Sequence, residues 1–167
     1  MTIAFKKVRE KHGWLSNMSP HPVQGFRTAE ALFQAGRFGR ADIIDEIRAQ
    51  TSPMAAKMVA KKHSDQMAIH PRSPRDIEWM ESVLRLKLKE HPSLVQFLKD
   101  TGTEYIVEDV SSRPNESGLF WGASRIGPTV ASMMEHLDMS TIVIGEEVWY
   151  GQNVLGKLWM KLREENK

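Results

Sequence analysis

The chain has 167 residues, of which 41% are hydrophobic and 26% charged, with a net charge of +2 and no cysteine. That length buries the core of one domain, and the composition is that of an ordinary globule. It excludes disulfides, thiolate zinc sites and cysteine nucleophiles, and the small charge is not the basic footprint of a dedicated nucleic-acid binder. The N-terminus lacks the run of roughly 7–15 apolar residues of a signal peptide, and no stretch approaches the roughly 18 that span a membrane. A cytoplasmic protein with no membrane partner is expected.

Ile3 to Val8 reads as a short strand, and the turn-rich stretch Lys11 to Pro20 that follows carries Trp14. Val23 to Arg27 reads as a brief strand feeding a helix from Thr28 to Phe38, which Gly39 ends. Thr28 is placed to cap that helix, and Glu30 sits in the first turn, where an acid suits the positive end of the dipole. At about 100° per residue, Glu30, Gln34 and Arg37 fall within about 60° of one another, while every other face is small or apolar. A helix of those proportions is buried, and its narrow polar stripe must be satisfied inside the protein. Two arrangements do this. Either the three side chains line a polar cleft, or Glu30 and Arg37 form an internal ion pair that completes a buried helix.

Ala41 to Gln50 gives a second helix, with Ile43, Ile44 and Ile47 on one side. Ser52-Pro53 joins an N-cap to a proline at the first helical position and opens a helix through Lys62. Lys57 and Lys61 share one side of it, the usual pattern of two solvated lysines. His63 to Pro74 reads as loop. Arg75 to Glu90 is a long helix packing through Trp79, Met80, Val83, Leu84 and Leu88, and it stops at His91-Pro92. A short helix from Leu94 to Lys99, a strand from Tyr105 to Val110 and a loop from Ser111 to Gly118 come next. Phe120 to Ala123 reads as a strand or tight loop, Thr129 to His136 as a helix, Thr141 to Tyr150 as a strand, and Asn153 to Glu164 as the last helix. Six or seven helices with a few short strands in no regular alternation predict a helix-rich α+β single domain over residues 1–167.

Gly151-Gln152-Asn153-Val154-Leu155-Gly156-Lys157 has the spacing of a P-loop, but Leu158 stands where the magnesium-binding hydroxyl belongs. Few residues remain downstream for the rest of such a nucleotidase. Two readings of the stretch stay open: glycine-rich backbone at a helix N-terminus that binds an anion, or glycines that only turn the chain and pack it closely. Gly122 to Gly127 misses the G-x-S-x-G elbow by one position. The six histidines never fall at i, i+3 or i, i+4, so no local metal site is expected. Trp14 and Trp121 lie in glycine-rich stretches, where each either caps the core or stacks on a flat ring.

In order along the chain, Gly13-Trp14-Leu15-Ser16-Asn17-Met18-Ser19-Pro20, Thr28-Ala29-Glu30-Ala31-Leu32-Phe33-Gln34-Ala35, Ala56-Lys57, Thr101-Gly102 with Ile106-Val107-Glu108, Trp121-Gly122, and Gly151 to Met160 resemble the NADAR, or YbiA-like, family. The resemblance runs from about Phe5 to Arg163. It implies a helix-rich α+β domain that handles ribose phosphates or ADP-ribose, without metal or other cofactor. Characterised relatives are N-glycosidases. One branch cleaves pyrimidine from ribose in phosphorylated riboflavin-pathway intermediates, and another removes ADP-ribose from guanine bases of nucleic acid. The resemblance therefore implies an N-glycosidase with a small ribose-phosphate substrate. The alternatives are an ADP-ribosyl-guanine hydrolase on modified nucleic acid and a non-catalytic ADP-ribose or NAD-binding module.

Position by position, the resemblance makes Glu30 the family's helix acid and Lys57 the lysine of its Ala-Lys pair, and these are the two catalytic candidates. Glu30 would stabilise the sugar cation or relay protons, and Lys57 would attack C1′ of an opened sugar to give a Schiff base. Asn17, Trp121, Gly122 and Asn153 match the Leu-Ser-Asn turn, the Trp-Gly pair and the closing Gly-x-Asn-x-Leu-Gly. With Trp14, Gln34, Arg37, Glu108 and Gly151 they are the expected substrate-binding set, in which Trp14 and Trp121 stack on the base while Arg37 and the amides from Gly151 to Gly156 hold phosphate. The chain departs from the family pattern twice. Gly118 stands where relatives carry an Asp, and Arg75, Asp76 and Trp79 supply the family's Arg-x-Asp-Trp residues at other spacings.

Overall fold

The computed structural model describes residues 1–125, 141–144 and 147–167, and the helix expected from Thr129 to His136 lies outside them. Seven α-helices and four short strands stand among the described residues, a helix-rich α+β composition. They fall into two compact units, Asn17–Val95 on the one hand and Met1–Ser16 with Gln96–Lys167 on the other.

The unit Asn17–Val95 is helical. Its first helix, α1 (Ala29–Ala35), is buried along its whole length, and the Thr28 hydroxyl caps it by accepting from the Ala31 N–H at 3.1 Å. The expected extension to Phe38 is corrected, because α1 ends at Ala35 with Gly36 as its cap. The cause is the long helix α4 (Pro74–Glu90), whose Trp79 ring lies against Gly36 so closely that a Cβ there would sit 2.2 Å from it. The Trp79 indole N–H donates to the Phe33 carbonyl at 3.0 Å, while the Arg37 N–H turns back to Gln34. The indole thus takes over a carbonyl that a longer helix would have satisfied itself.

Helix α2 (Ala41–Arg48) packs through Ile43 and Ile47, and α3 (Pro53–Lys62) through Ala56 and Ala60, with α3 against both α1 and α2. Ser52 and Ser73 cap α3 and α4, each followed by proline at the first helical position. Val23 to Arg27 is a tight turn instead of the expected strand. Val23 and Phe26 exchange both backbone hydrogen bonds across Gln24 (φ 51°) and Gly25 (φ 78°). Two successive positive φ angles make the hairpin turn that joins strands without splaying them. The Glu90 carboxylate holds this turn through the Gln24 backbone and side-chain amides.

The other unit holds the strands. β1 (Thr2–Phe5) runs parallel to β2 (Tyr105–Glu108), with Thr2 opposite Tyr105 and Phe5 opposite Glu108. Helix α5 (Ser93–Asp100) leads towards β2. A helix α6 (Glu116–Trp121) replaces the loop and strand expected there, and the Asn115 side chain caps it by accepting from the Gly118 N–H at 2.8 Å. The single strand expected from Thr141 to Tyr150 is two antiparallel strands, β3 (Thr141–Ile144) and β4 (Glu147–Tyr150). Helix α7 (Val154–Glu165) buries Leu155, Leu158, Trp159 and Leu162 and packs on β2 and α6. The Trp159 indole donates to the Leu15 carbonyl at 3.0 Å. Among the described residues no helix is long and apolar enough to cross a membrane.

Candidate active site

Capping by Thr28 sets α1 so that Glu30 lies in its first turn, with its backbone N–H donating to the Asn17 carbonyl at 3.0 Å. The acid is only 7% exposed. Gln34, one turn on, donates from Nε2 to Glu30 Oε1 at 2.8 Å and accepts from Arg37 Nη1 at 3.2 Å. Arg37 then meets a residue of α4. Its Nε and Nη2 donate to the two carboxylate oxygens of Asp76 at 2.8 and 2.6 Å, a two-pronged pair buried on both sides. Its guanidinium also lies 4.3 Å over the Phe33 ring. The internal Glu30–Arg37 pair weighed from sequence is therefore replaced: Arg37 pairs with Asp76, and Gln34 stands between Arg37 and Glu30. Asp76 is fully buried and also accepts from the Arg72 N–H at 2.7 Å.

Asn17 closes the N-terminal side of Glu30. Its Nδ2 points at the Met80 sulfur at 3.1 Å, and its Oδ1 is buried without a hydrogen-bond partner among the described residues. A buried amide oxygen without a donor is costly to the fold and calls for an explanation. Lys57 is exposed on α3, as is Lys61, and no hydrogen bond or ion pair among the described residues joins Lys57 to Glu30. The unit thus links Asn17, Glu30, Gln34 and Arg37 in one connected set and leaves Lys57 outside it.

A second polar group in this unit escaped the sequence reading. Lys87 of α4 is fully buried and donates to the Ser19 hydroxyl at 2.8 Å, and His21 Nδ1 lies 2.9 Å from the same oxygen. Burial lowers the Lys87 amine from its ordinary 10.5 to about 7. His21 is lowered as well, first by burial and then by the charges of Lys87 and His91. The sequence does carry a signal for Lys87, which occupies the same helical face as Met80, Val83 and Leu84.

The remaining candidates sit in the other unit. Asn153 is fully buried in a left-handed conformation, φ 49°. Its Nδ2 donates to the Ile106 carbonyl at 2.8 Å and its Oδ1 accepts from the Glu108 N–H at 3.1 Å, so the side chain takes the place of a strand alongside β2. A Cβ on Gly122 would meet the Glu108 carbonyl at 2.5 Å, and one on Gly151 would meet the Gly122 carbonyl at 2.6 Å. The Gln152 and Asn153 amides donate to the Leu119 and Gly122 carbonyls at 2.8 and 3.0 Å. Two amides of the glycine-rich stretch are therefore engaged inside the chain, the arrangement expected of close packing. Trp14 is buried edge-on against Trp159, with ring centroids 5.8 Å apart, and Trp121 is buried beside Phe120. Among the described residues no three histidine or acidic side chains gather as a metal site.

The sequence matches the NADAR domain family over residues 4–166. N-glycosidase YbiA of Escherichia coli is 26% identical over 98% of this chain and 87% of its own. N-glycosidase Npun_R5314 of Nostoc punctiforme is 31% identical over 89% of this chain and 93% of its own. N-glycosidase R617 of Acanthamoeba polyphaga mimivirus is 37% identical over 50% of this chain and 39% of its own. The NMR structure of the E. coli protein YbiA superposes with a TM-score of 0.64 at 24% identity, over 99% of this chain and 86% of that one.

Proposed function

The chain belongs to the NADAR domain family, and from that premise we propose that it is an N-glycosidase. Its substrate in this reading is a ribose phosphate joined to a nucleobase-like ring, of the ribosylamino-pyrimidine kind found in riboflavin synthesis. The observation that carries the reading is Glu30. It is a nearly buried carboxylate that receives one side-chain hydrogen bond, from Gln34, and has no cation in ion-pair contact among the described residues. An acid kept only for structure is ordinarily paired when buried, because an unpaired charge there costs several kcal/mol. Cleavage of an N-glycosidic bond builds positive charge at C1′ of the sugar. A preorganised carboxylate out of water stabilises that charge more in the transition state than in the ground state.

Two further features support the same reading. Asn17, whose backbone carbonyl accepts from the Glu30 N–H, carries a side-chain oxygen with no donor among the described residues. Lys57 on α3 offers an amine for attack on an opened sugar, with Lys61 one turn away as a charge for the phosphate. No step in this scheme calls for a metal ion.

Product analysis by mass spectrometry tests the proposal. The protein and its Glu30→Gln and Lys57→Ala variants are each given a phosphorylated ribosylamino-pyrimidine and an ADP-ribosylated guanine oligonucleotide, in the presence of EDTA. Free pyrimidine from the wild type, lost in Glu30→Gln, is the expected result. Release from the oligonucleotide alone moves the substrate to modified nucleic acid. Binding without release from either makes the protein an ADP-ribose module. Turnover retained in Lys57→Ala removes the covalent step and leaves Lys57 at most a phosphate ligand.

A further inference from the structure

We propose that Asp76, Arg37 and Gln34 are positioning residues that fix the orientation of Glu30 and leave its Oε2 as the oxygen that faces the sugar. The inference rests on the reading of Glu30 as the reacting carboxylate. Its basis is the order of donors and acceptors. A guanidinium only donates and a carboxylate only accepts, whereas a primary amide does both at its two ends. Arg37 Nη1 lies against Gln34 Oε1, so the amide cannot turn over without setting two donors face to face. Its NH2 must therefore point to Glu30, and it meets Oε1 at 2.8 Å.

Arg37 is itself held on several sides. Asp76 holds it through two parallel bonds, the Phe33 ring lies under it, and Asp76 is held in turn by the Arg72 N–H. The direction of each bond is thus dictated by its neighbour, from Asp76 on α4 to the acid on α1. Oε1 is taken, and Oε2 has no hydrogen-bond partner among the described residues. A glutamate has three side-chain torsions, and holding one oxygen removes most of that freedom before substrate arrives. The guanidinium expected to hold phosphate is already engaged on Nε, Nη1 and Nη2, which turns Arg37 from a substrate ligand into a support.

The two roles for Arg37 make opposite kinetic predictions. If Arg37 held the phosphate, Arg37→Lys would raise KM and spare kcat. If it positions Glu30, the same substitution lowers kcat by about tenfold or more, with KM within about threefold of wild type. Gln34→Met removes the donor to Glu30 and is expected to act in the same direction. Gln34→Glu keeps an oxygen for Arg37 but turns an acceptor towards Glu30, so it is expected to be worse than Gln34→Met.

A measurement independent of turnover is the exchange of the Gln34 side-chain amide protons with solvent, followed by NMR. It is expected to be slow in the wild type and faster in Arg37→Lys and Asp76→Asn. Arg37→Lys keeps a cation beside Asp76, so it serves if Asp76→Asn does not fold. Equal exchange in wild type and Arg37→Lys, or a pure KM effect in Arg37→Lys, overturns the proposal. Failure of the N-glycosidase reading shows separately, as no base released by the wild type, and the amide measurement stands whatever that result.

Discussion

In residues 17–95 a line of buried polar side chains runs from Asp76 through Arg37 and Gln34 to Glu30 and ends on a carboxylate oxygen with no partner among the described residues. In the other unit, Asn153 also stands fully buried among backbone, but its donor and its acceptor are both engaged, on Ile106 and Glu108 of β2. Glu30 and Asn153, the two ends of the comparison, both match the family pattern in sequence. What separates them is closure. A polar group whose donor and acceptor atoms are both bonded within the chain holds the fold, and removing it leaves buried partners stranded. A polar line that ends open can act on something outside the chain. Under the proposed function, the asparagine holds the fold and the acid does the chemistry.

The largest test of that contrast is Glu30→Gln. Turnover is expected to fall by about 10²-fold or more, while stability to urea changes by less than about 1 kcal/mol. A large loss of stability with the remaining activity proportional to folded protein would make Glu30 another closed structural group. Asn153→Ala is expected to do the reverse and lower stability by about 2–4 kcal/mol, since it strands the Ile106 carbonyl and the Glu108 N–H and places alanine at a positive φ. An Asn153→Ala protein of wild-type stability but reduced turnover would erase the distinction.

Lys87 sharpens the comparison through pH. Its amine is at about 7 in the fold, against 10.5 when exposed. Between those values the unfolded chain holds a proton that the folded chain has released, so stability rises with pH across this window, by at most about 1.4 kcal/mol per unit. Below pH 7 both states are protonated, and the full cost of the buried charge is present. Thermal melting from pH 6.5 to 9.5 is expected to rise in the wild type and to flatten in Lys87→Met. An unchanged rise in that variant would place the titrating group elsewhere.

What the sequence disclosed and what it withheld follow the range of the interactions. Thr28 and the Ser52-Pro53 pair are caps that act within three residues, and both are readable directly. The spacing of Leu155, Leu158, Trp159 and Leu162 discloses α7 in the same way. The end of α1 is not readable, because Trp79 lies far along the chain from Gly36. The Asp76 partner of Arg37 is hidden for the same reason, since no periodicity links residues on two different helices. Helix α6 is only six residues long and contains Gly118, Phe120 and Trp121, which outweigh the cap signal of Asn115. The break between β3 and β4 is not readable, because the β-branched and aromatic residues on both sides of it read as one long strand. Glu30 is legible as a candidate because its helix has too few polar residues. Its freedom from a cation is not legible, because that depends on where Arg37 goes.

The pairing of β1 with β2 has a consequence for how the chain is made. Thr2–Phe5 lies beside Tyr105–Glu108, and the whole of Asn17–Val95 falls between them in sequence. On a ribosome adding about 5–20 residues per second, the first strand emerges about 5–20 seconds before its partner. Parallel pairing across so long an interval is slow, because the loop must close before the strands can bond. The helices between them need no such wait to pack on one another, since α1, α2, α3 and α4 all lie within one continuous stretch. The nascent protein therefore passes through a stage in which the helical unit has all its residues while Ile3 and Phe5 have no sheet to join. That stage is where an edge-seeking chaperone or a second nascent chain has its opportunity.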